Sequence, residues 1–349
     1  IVPEHSLPQV NDRFDLNGGL LVPGFIDVHV NGGAGELFNH NPSAKALQTI
    51  AQAHREYGTT AFLPTLITDT WEQMVNAVAA VAAAVELGVP SILGIHLEGP
   101  YLNEERKGVH PVKRIRVPTG SEDLNRLFDV FPAHLIKLMT LAPERVSPAF
   151  IQRLTRDGMI VSAGHSEASY DQIQIALAHG VTGFTHLFNA MSPMTSRKPG
   201  VVGAALDHAD SWCGLIVDGH HVHPVTLRQA IKAKAKGKMI LVTDAMHTVG
   251  QDAGRFDLMG SPIVSENGKV TTPNGTLAGS NLDMASAVRN TVQQVGLELE
   301  EALRMASLYP AQFLQLDNKI GRIAKGFQAD LVLIDDDMMV QQTWIKGEA

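Results

Sequence analysis

Histidine and carboxylate side chains recur in this sequence at the ends of apolar runs. Asp27, His29 and Asn31 fall at the end of Phe25–Val30, Glu98 ends Ile92–Glu98, and His165 ends Met159–His165. His186 lies in Gly183–Phe188, His221 follows Cys213–Asp218, and Asp244 ends Met239–Asp244. Fifteen histidines scattered at random would not track run ends in this way. Glu98, His165 and His186 together offer two neutral imidazoles and a carboxylate. That donor set suits a divalent metal, Zn²⁺ or Fe²⁺, and leaves a position open for water. A cation so held lowers the pKa of water from about 15.7 toward about 7. Asp244 would then take a proton as general base and return it to a leaving nitrogen. Each residue alone has a plainer reading: a buried hydrogen-bonding group for the ligands, a helix cap for Asp244.

These residues are far apart in the chain, so the elements carrying them must bring them together. Eight short apolar runs, including Thr60–Leu66 and Leu135–Leu141, alternate with segments of helical periodicity. The helical segments are Ser43–Tyr57, Trp71–Leu87, Pro148–Arg156, Ser169–Ala178 and Pro224–Ala235, and Gly58, Gly88, Gly158 and Gly180 stand where helices should stop. Eight strand–helix alternations predict an α/β fold, a (β/α)₈ TIM-type barrel, whose C-terminal strand ends converge on one face. An open doubly wound sheet is the competitor, but no GxGxxG follows the first strand. Two regions break the alternation. Residues 247–282 are a Gly-rich insertion with a hairpin expected at Glu266-Asn267-Gly268, and residues 321–349 read as short strands that pair with 1–20. The expected division is a small β domain from 1–20 and 321–349, and a hydrolase barrel from 21–320.

Composition supports one large domain with a minor appendage. Of 349 residues 44% are hydrophobic and 18% charged, enough apolar material for a sizeable core. The net charge of −8 and the lack of a basic run argue against nucleic acid or an anionic membrane as partner. No stretch approaches the roughly 20 apolar residues of a membrane span. The first residues have neither the basic nor the apolar region of a signal peptide, so a cytoplasmic location is expected. Ile1 in place of an initiator Met suggests a clipped chain. The single cysteine, Cys213, excludes an intrachain disulfide and reads as a small buried hydrophobe.

Leu21-Val22-Pro23-Gly24-Phe25-Ile26-Asp27-Val28-His29 is similar to the opening motif of the amidohydrolase superfamily. His96-Leu97-Glu98-Gly99-Pro100-Tyr101-Leu102-Asn103 with Lys107-Gly108-Val109-His110-Pro111 is narrower. It resembles the N-acetylglucosamine-6-phosphate deacetylases, as do Ala163–Ser166, Thr185–Met191, Asp218–Val222, Thr243–Ala245 and Thr276–Ser280, in order from residue 21 to about 335. The resemblance implies deacetylation of an amino-sugar phosphate by metal-activated water. It assigns Glu98, His165 and His186 to the metal, Asp244 to acid–base work, and His110 to polarising the acetyl carbonyl. Asn189, the backbone at Ala190, and His221 match sugar-phosphate contacts. Arg197 matches a phosphate-binding arginine supplied by the other subunit of a homodimer, a role that suits a guanidinium fork. The same chemistry on N-acetylgalactosamine 6-phosphate or a cyclic amide is the alternative, and a non-catalytic scaffold is disfavoured because all four central residues are present.

Where two-metal relatives have His-x-His, this chain has His29-Val30-Asn31. Asn is a poor Zn²⁺ ligand, so one tight ion is favoured, with His29 and Asn31 the candidates for a second. His96 reads as packed in the barrel, Asp27 as an orienting group, and His247 as an unassigned loop residue. His220 and His223 flank His221, but alternation along a strand would turn neighbouring side chains apart.

Overall fold

A computed structural model describes residues 14–120, 131–251 and 254–349 apart from Asn17, and Glu122, Asn125, Phe128 and Asp129 of the intervening stretch. Its centre is an eight-stranded sheet in simple sequential order. The strands are β1 (Phe25–Val30), β2 (Thr59–Ile67), β3 (Gly94–Glu98), β4 (Ile136–Leu141), β5 (Met159–Ala163), β6 (Val181–Phe184), β7 (Trp212–Leu215) and β8 (Met239–Leu241). All seven neighbouring pairs run parallel. The seam between β1 and β8 is closed beyond the strand ends. Asp244 N–H donates to His29 O at 3.0 Å, and Asn31 N–H to Ala245 O at 2.8 Å. Asp27 reinforces the same seam: its buried carboxylate accepts from the Thr243 hydroxyl and, at 3.3 Å, from Thr243 N–H. Burial raises the Asp27 pKa to about 6. Asp27 is thus an orienting group that stitches the first strand to the last. The TIM-type barrel expected from the alternation is the observed fold.

The helices follow from local chemistry. Ser43, Thr70, Ser147 and Ser169 each cap the helix that follows, accepting from a backbone N–H three residues on. Gly58, Gly88, Gly158 and Gly180 all adopt positive φ just past helix ends, as a left-handed stop requires. The apolar runs overshoot several strands. The β6 ladder ends at Phe184, β7 at Leu215 and β8 at Leu241, so His186 and Asp244 lie on turns beyond the sheet. His221 does too, so strand alternation is not what separates its neighbours. His220 is exposed, and His223 caps the helix Pro224–Ala233 through Nδ1, which accepts from Val225 N–H at 3.2 Å.

The insertion forms a three-stranded antiparallel sheet, Gly254–Leu258, Ser261–Glu266 and Lys269–Thr271. Its second turn is the expected hairpin, with Asn267 and Gly268 both at positive φ. A terminal sheet pairs Leu20–Pro23 with Leu331–Ile334, and that strand with Val340–Trp344. Residues 1–13, the bulk of the expected N-terminal partner, lie outside the described residues. Among the described residues no helix is long and apolar enough to cross a membrane.

Cys213 sits on β7 with no exposure, and burial pushes its thiol up to about 12. A thiol in that state carries almost no thiolate, the reactive form. Titration with dithiodipyridine is therefore expected to find no reactive thiol in the native protein and one per chain in guanidinium. Rapid native labelling would place Cys213 at an accessible surface.

Candidate active site

Four histidine nitrogens meet one buried carboxylate at the C-terminal mouth of the barrel. Glu98, the last residue of β3, is 3% exposed. Its Oε1 lies 3.1 Å from His165 Nε2 and 3.0 Å from His186 Nε2. Its Oε2 lies 3.3 Å from His29 Nε2 and 3.6 Å from His110 Nε2. Burial works against the Glu98 charge, but His29 and the hydrogen bonds of His110, His165 and His186 hold its pKa well below the usual carboxylate range.

A hydrogen bond on the far side of its ring decides what His165 offers. Arg106 O, at 2.7 Å, can only accept, so His165 Nδ1 carries the proton and Nε2 keeps a lone pair. His186 presents Nε2 to the same point, 3.1 Å from His165 Nε2. Burial lowers the His186 pKa, which favours the neutral, ligating ring. Glu98 Oε1 and the two Nε2 atoms form a triangle 3.0–3.1 Å on a side. Bonds of about 2.0–2.1 Å to a tetrahedral ion put donors roughly 3.3 Å apart, so the set fits a divalent cation with little adjustment. The His165 Nε2 lone pair faces a Glu98 carboxylate oxygen, two acceptors 3.1 Å apart, and a cation between them would turn that repulsion into ligation.

His110 also lies close enough to Glu98 and His165 to form a ligand trio with them. Its tautomer argues otherwise. Thr68 N–H donates to His110 Nδ1 at 3.3 Å, and Thr68 Oγ1 is 2.9 Å away. The Nδ1 lone pair is therefore used, Nε2 carries the hydrogen, and the ring is a donor toward the cavity. Glu98, His165 and His186 remain the expected ligand set, since Oε1 and the two Nε2 atoms lie within 3.1 Å of one another while His110 turns a donor to the cavity.

Asp244 stands opposite, its Oδ1 accepting from Asn31 Nδ2 at 2.6 Å and lying 3.2 Å from His29 Nε2. Its side chain is 14% exposed against 4% for Glu98, so it faces the cavity. Asn31 thus presents its amide N–H₂ to Asp244. His29 sits between the two carboxylates; burial lowers its pKa, but Asp244 and Glu98 outweigh that and raise it to about 9. Gly32 must follow Asn31, since a Cβ there would lie 2.3 Å from Glu36 O and 2.8 Å from His247 N.

His165, His186 and Asp244 all adopt left-handed backbone, with φ of 48°, 35° and 53°, as does Ala190 at 50°. Non-glycine residues in that region cost of order 1–3 kcal/mol each and cluster at functional sites. Neighbouring strands hold them. Gly164 N–H donates to Leu141 O before His165, and Ser166 N–H to Ala190 O after it. Thr185 N–H to Ala163 O and Leu187 N–H to Gly214 O bracket His186 in the same way.

The cavity over these groups has a volume of about 300 Å³, and Asn31, Glu98, His110, His165, His186, Asn189, Ala190, His221 and Asp244 all line it. His221 Nδ1 donates to Asp218 Oδ2 at 2.6 Å, leaving Nε2 as an acceptor. Arg197 is not among the lining residues of its own chain; it lies on the exposed stretch 193–199. His247 stands outside the cavity with its ring edge-on to Phe256 at 4.0 Å. His96 is buried beneath the site, bonded to Thr65 Oγ1 at 3.3 Å and Thr140 Oγ1 at 2.8 Å. Sequence reading missed Thr68, although it is the polar residue just past the end of β2. It also missed the Arg106 carbonyl, which no side-chain pattern reveals.

Residues 20–349 match the amidohydrolase family. The chain is 46% identical to an N-acetylgalactosamine-6-phosphate deacetylase from Shewanella sp. (strain ANA-3), over 96% of this chain and 84% of that one. Its structure is similar to that of N-acetylglucosamine-6-phosphate deacetylase from Pasteurella multocida, with a TM-score of 0.95 at 40% identity, covering 99% and 90% of the two chains. A point mutant of the Mycobacterium smegmatis enzyme in complex with N-acetyl-D-glucosamine-6-phosphate aligns with a TM-score of 0.89 at 34% identity, over 94% and 86%.

The ligand assignment makes a specific forecast. Glu98→Gln, His165→Ala and His186→Ala should each lower bound metal by tenfold or more, since outer partners alone cost about that much. His110→Gln should keep its metal in the same elemental measurement. Loss of metal from His110→Gln with retention in His186→Ala would put His110 in the set instead.

Proposed function

We propose, on the premise that the chain belongs to the amidohydrolase family, that it hydrolyses the N-acetyl group of an amino-sugar 6-phosphate. The preferred substrate is N-acetyl-D-glucosamine 6-phosphate, and the products are D-glucosamine 6-phosphate and acetate. The observation that carries this reading is the convergence of Glu98 Oε1, His165 Nε2 and His186 Nε2 on one point, in a cavity that Asp244 and His110 also line.

A divalent ion on Glu98, His165 and His186, Zn²⁺ or Fe²⁺, would supply Lewis acidity and a more acidic water. His110 Nε2–H donates to the acyl oxygen as negative charge develops on it in the tetrahedral transition state. Asp244 accepts a proton from the attacking water and delivers it to the amide nitrogen as the C–N bond breaks. Asn31 and His29 hold the Asp244 carboxylate in place through Oδ1. One tight ion is favoured, because Asn31 offers Asp244 a donor and His29 Nε2 sits against two carboxylate oxygens. Asn189, the Ala190 backbone and His221 bind the sugar phosphate. Arg197 reaches the phosphate of a neighbouring subunit in a homodimer, which accounts for its absence from its own cavity. We also assign the terminal segments 1–20 and 321–349 to a small β unit beside the barrel, and the chain to the cytoplasm.

The galactosamine epimer is a second reading, favoured by the 46% identity to the Shewanella deacetylase. Acetate release from both 6-phosphates decides: a tenfold or greater preference in kcat/KM names the substrate, and no acetate from either ends the deacetylase reading. Asp244→Asn should lower kcat by about 10²–10⁴, the usual contribution of a positioned acid–base group, with metal content retained. Metal loss in that variant would make Asp244 a ligand. Subunit sharing has its own check. Refolding Arg197→Ala together with Asp244→Asn should restore activity above either variant alone, because one site of a hybrid dimer regains both groups. An inactive mixture argues against sharing.

A further inference from the structure

The cavity has two unlike walls. Besides the polar groups, Ile67, Leu258, Met246 and Leu37 line it. These four, with Ile263, Val270 and Ala278, form a hydrophobic cluster separate from the barrel core, built where the inserted sheet packs on the strand ends. The backbone fixes which of them meets the reacting group. Ile67, the last residue of β2, pairs in register with Glu98 on β3. In-register neighbours share a sheet face about 4.7–4.9 Å apart, so the Ile67 side chain stands beside the Glu98 carboxylate. The next residue, Thr68, holds His110 by its ring nitrogen. Ile67 is clamped as well: its N–H donates to Asn39 Oδ1 at 3.0 Å, and its carbonyl accepts from Asn39 Nδ2 at 3.1 Å. A β-branched side chain on a fixed backbone has little rotamer freedom.

The acyl carbon carries a methyl and a nitrogen besides its oxygen; with the oxygen on His110 beside Glu98 and the nitrogen directed to Asp244, the methyl is the substituent left to face Ile67. We propose that Ile67, backed by Leu258 and Met246, gauges the length of the acyl group and restricts it to acetyl. This inference rests on the deacetylase reading and adds the residues that select the acyl chain. The three side chains belong to residues only 6%, 2% and 3% exposed, so the wall is already packed from behind. A methyl group gains burial against it, whereas each further methylene must displace a packed neighbour. In hydrophobic pockets one methylene discriminates by about 10–200-fold.

The test is a series of N-acetyl, N-propionyl and N-butyryl amines of the 6-phosphate epimer that is turned over, read as kcat/KM ratios within each protein. Ratios do not depend on how much of a preparation is folded. The wild type should lose about tenfold or more per added methylene. Ile67→Ala should raise the propionyl-to-acetyl ratio by about tenfold or more, and Ile67→Val by less. Leu258→Ala should raise the butyryl-to-acetyl ratio. If Ile67→Ala is inactive on all three, Ile67→Val decides by the same ratio. A flat acyl series in the wild type overturns the gauge, as does a ratio unmoved in the Ile67 variants, while turnover of the acetyl substrate leaves the deacetylase reading standing. No acetate release by the wild type defeats both.

Discussion

One buried carboxylate, that of Glu98, organises the mouth of this barrel. Glu98 gathers four imidazoles, His165 and His186 on one oxygen and His29 and His110 on the other. A buried charge is tolerated only when paired and hydrogen-bonded, and removing its partners would leave a costly orphan. The two oxygens serve different ends. Oε1 shares a point with the His165 and His186 ring nitrogens, the donor set proposed for the metal. Oε2 faces a ring fixed as a donor, His110, and one that bridges to Asp244. In the proposed reading the carboxylate thus separates the groups that would bind the metal from those that would handle substrate and protons.

That arrangement needs backbone the sheet does not supply. His165, His186 and Asp244 all turn into left-handed conformation just past their strands. Such turns aim side chains back over the barrel mouth, and they persist because the next strands hold the flanking N–H groups. The closure at Asp27 and Thr243 serves the same end, since Asp244 is the next residue and its N–H bonds to His29 O. Barrel closure and placement of Asp244, the proposed acid–base residue, are one event. Asn31 belongs to the same seam: its backbone N–H bonds to Ala245 O while its side chain holds Asp244.

Much of this was legible in the sequence, for a physical reason. Barrel strands are buried on both faces and read as apolar runs, so a reactive residue at a run's end is conspicuous. Helix ends were equally plain, because Ser43, Thr70, Ser147 and Ser169 cap by side chain and Gly58, Gly88, Gly158 and Gly180 accept positive φ. The runs were less exact at their far ends: Thr185–Phe188 is apolar enough to pass for strand, yet it forms the turn that carries His186. Roles set by backbone were invisible. That Arg106 O fixes the His165 tautomer, or that Asn31 offers Asp244 an amide N–H, depends on atoms that no residue pattern specifies. The apolar wall was hidden for another reason. Ile67 and Leu258 are 191 positions apart, and buried leucines and isoleucines are ordinary, so only their meeting over Glu98 gives them meaning.

The same division explains why the fold carries two hydrophobic clusters. The larger one lies between sheet and helices and holds the strand ends rigid. The smaller one lies above the mouth, under the inserted sheet, and shares Ile67 and Met246 with the cavity wall. The first packs the strands from whose ends Glu98, His165 and His186 project. Five residues of the second, Leu37, Ile67, Met246, Leu258 and Ala278, line the cavity, so in the proposed reading their shape would alter what fits without altering what reacts. Chemistry and selection are therefore packed by different cores, joined at the end of β2 where Ile67 faces the cavity and Thr68 fixes His110.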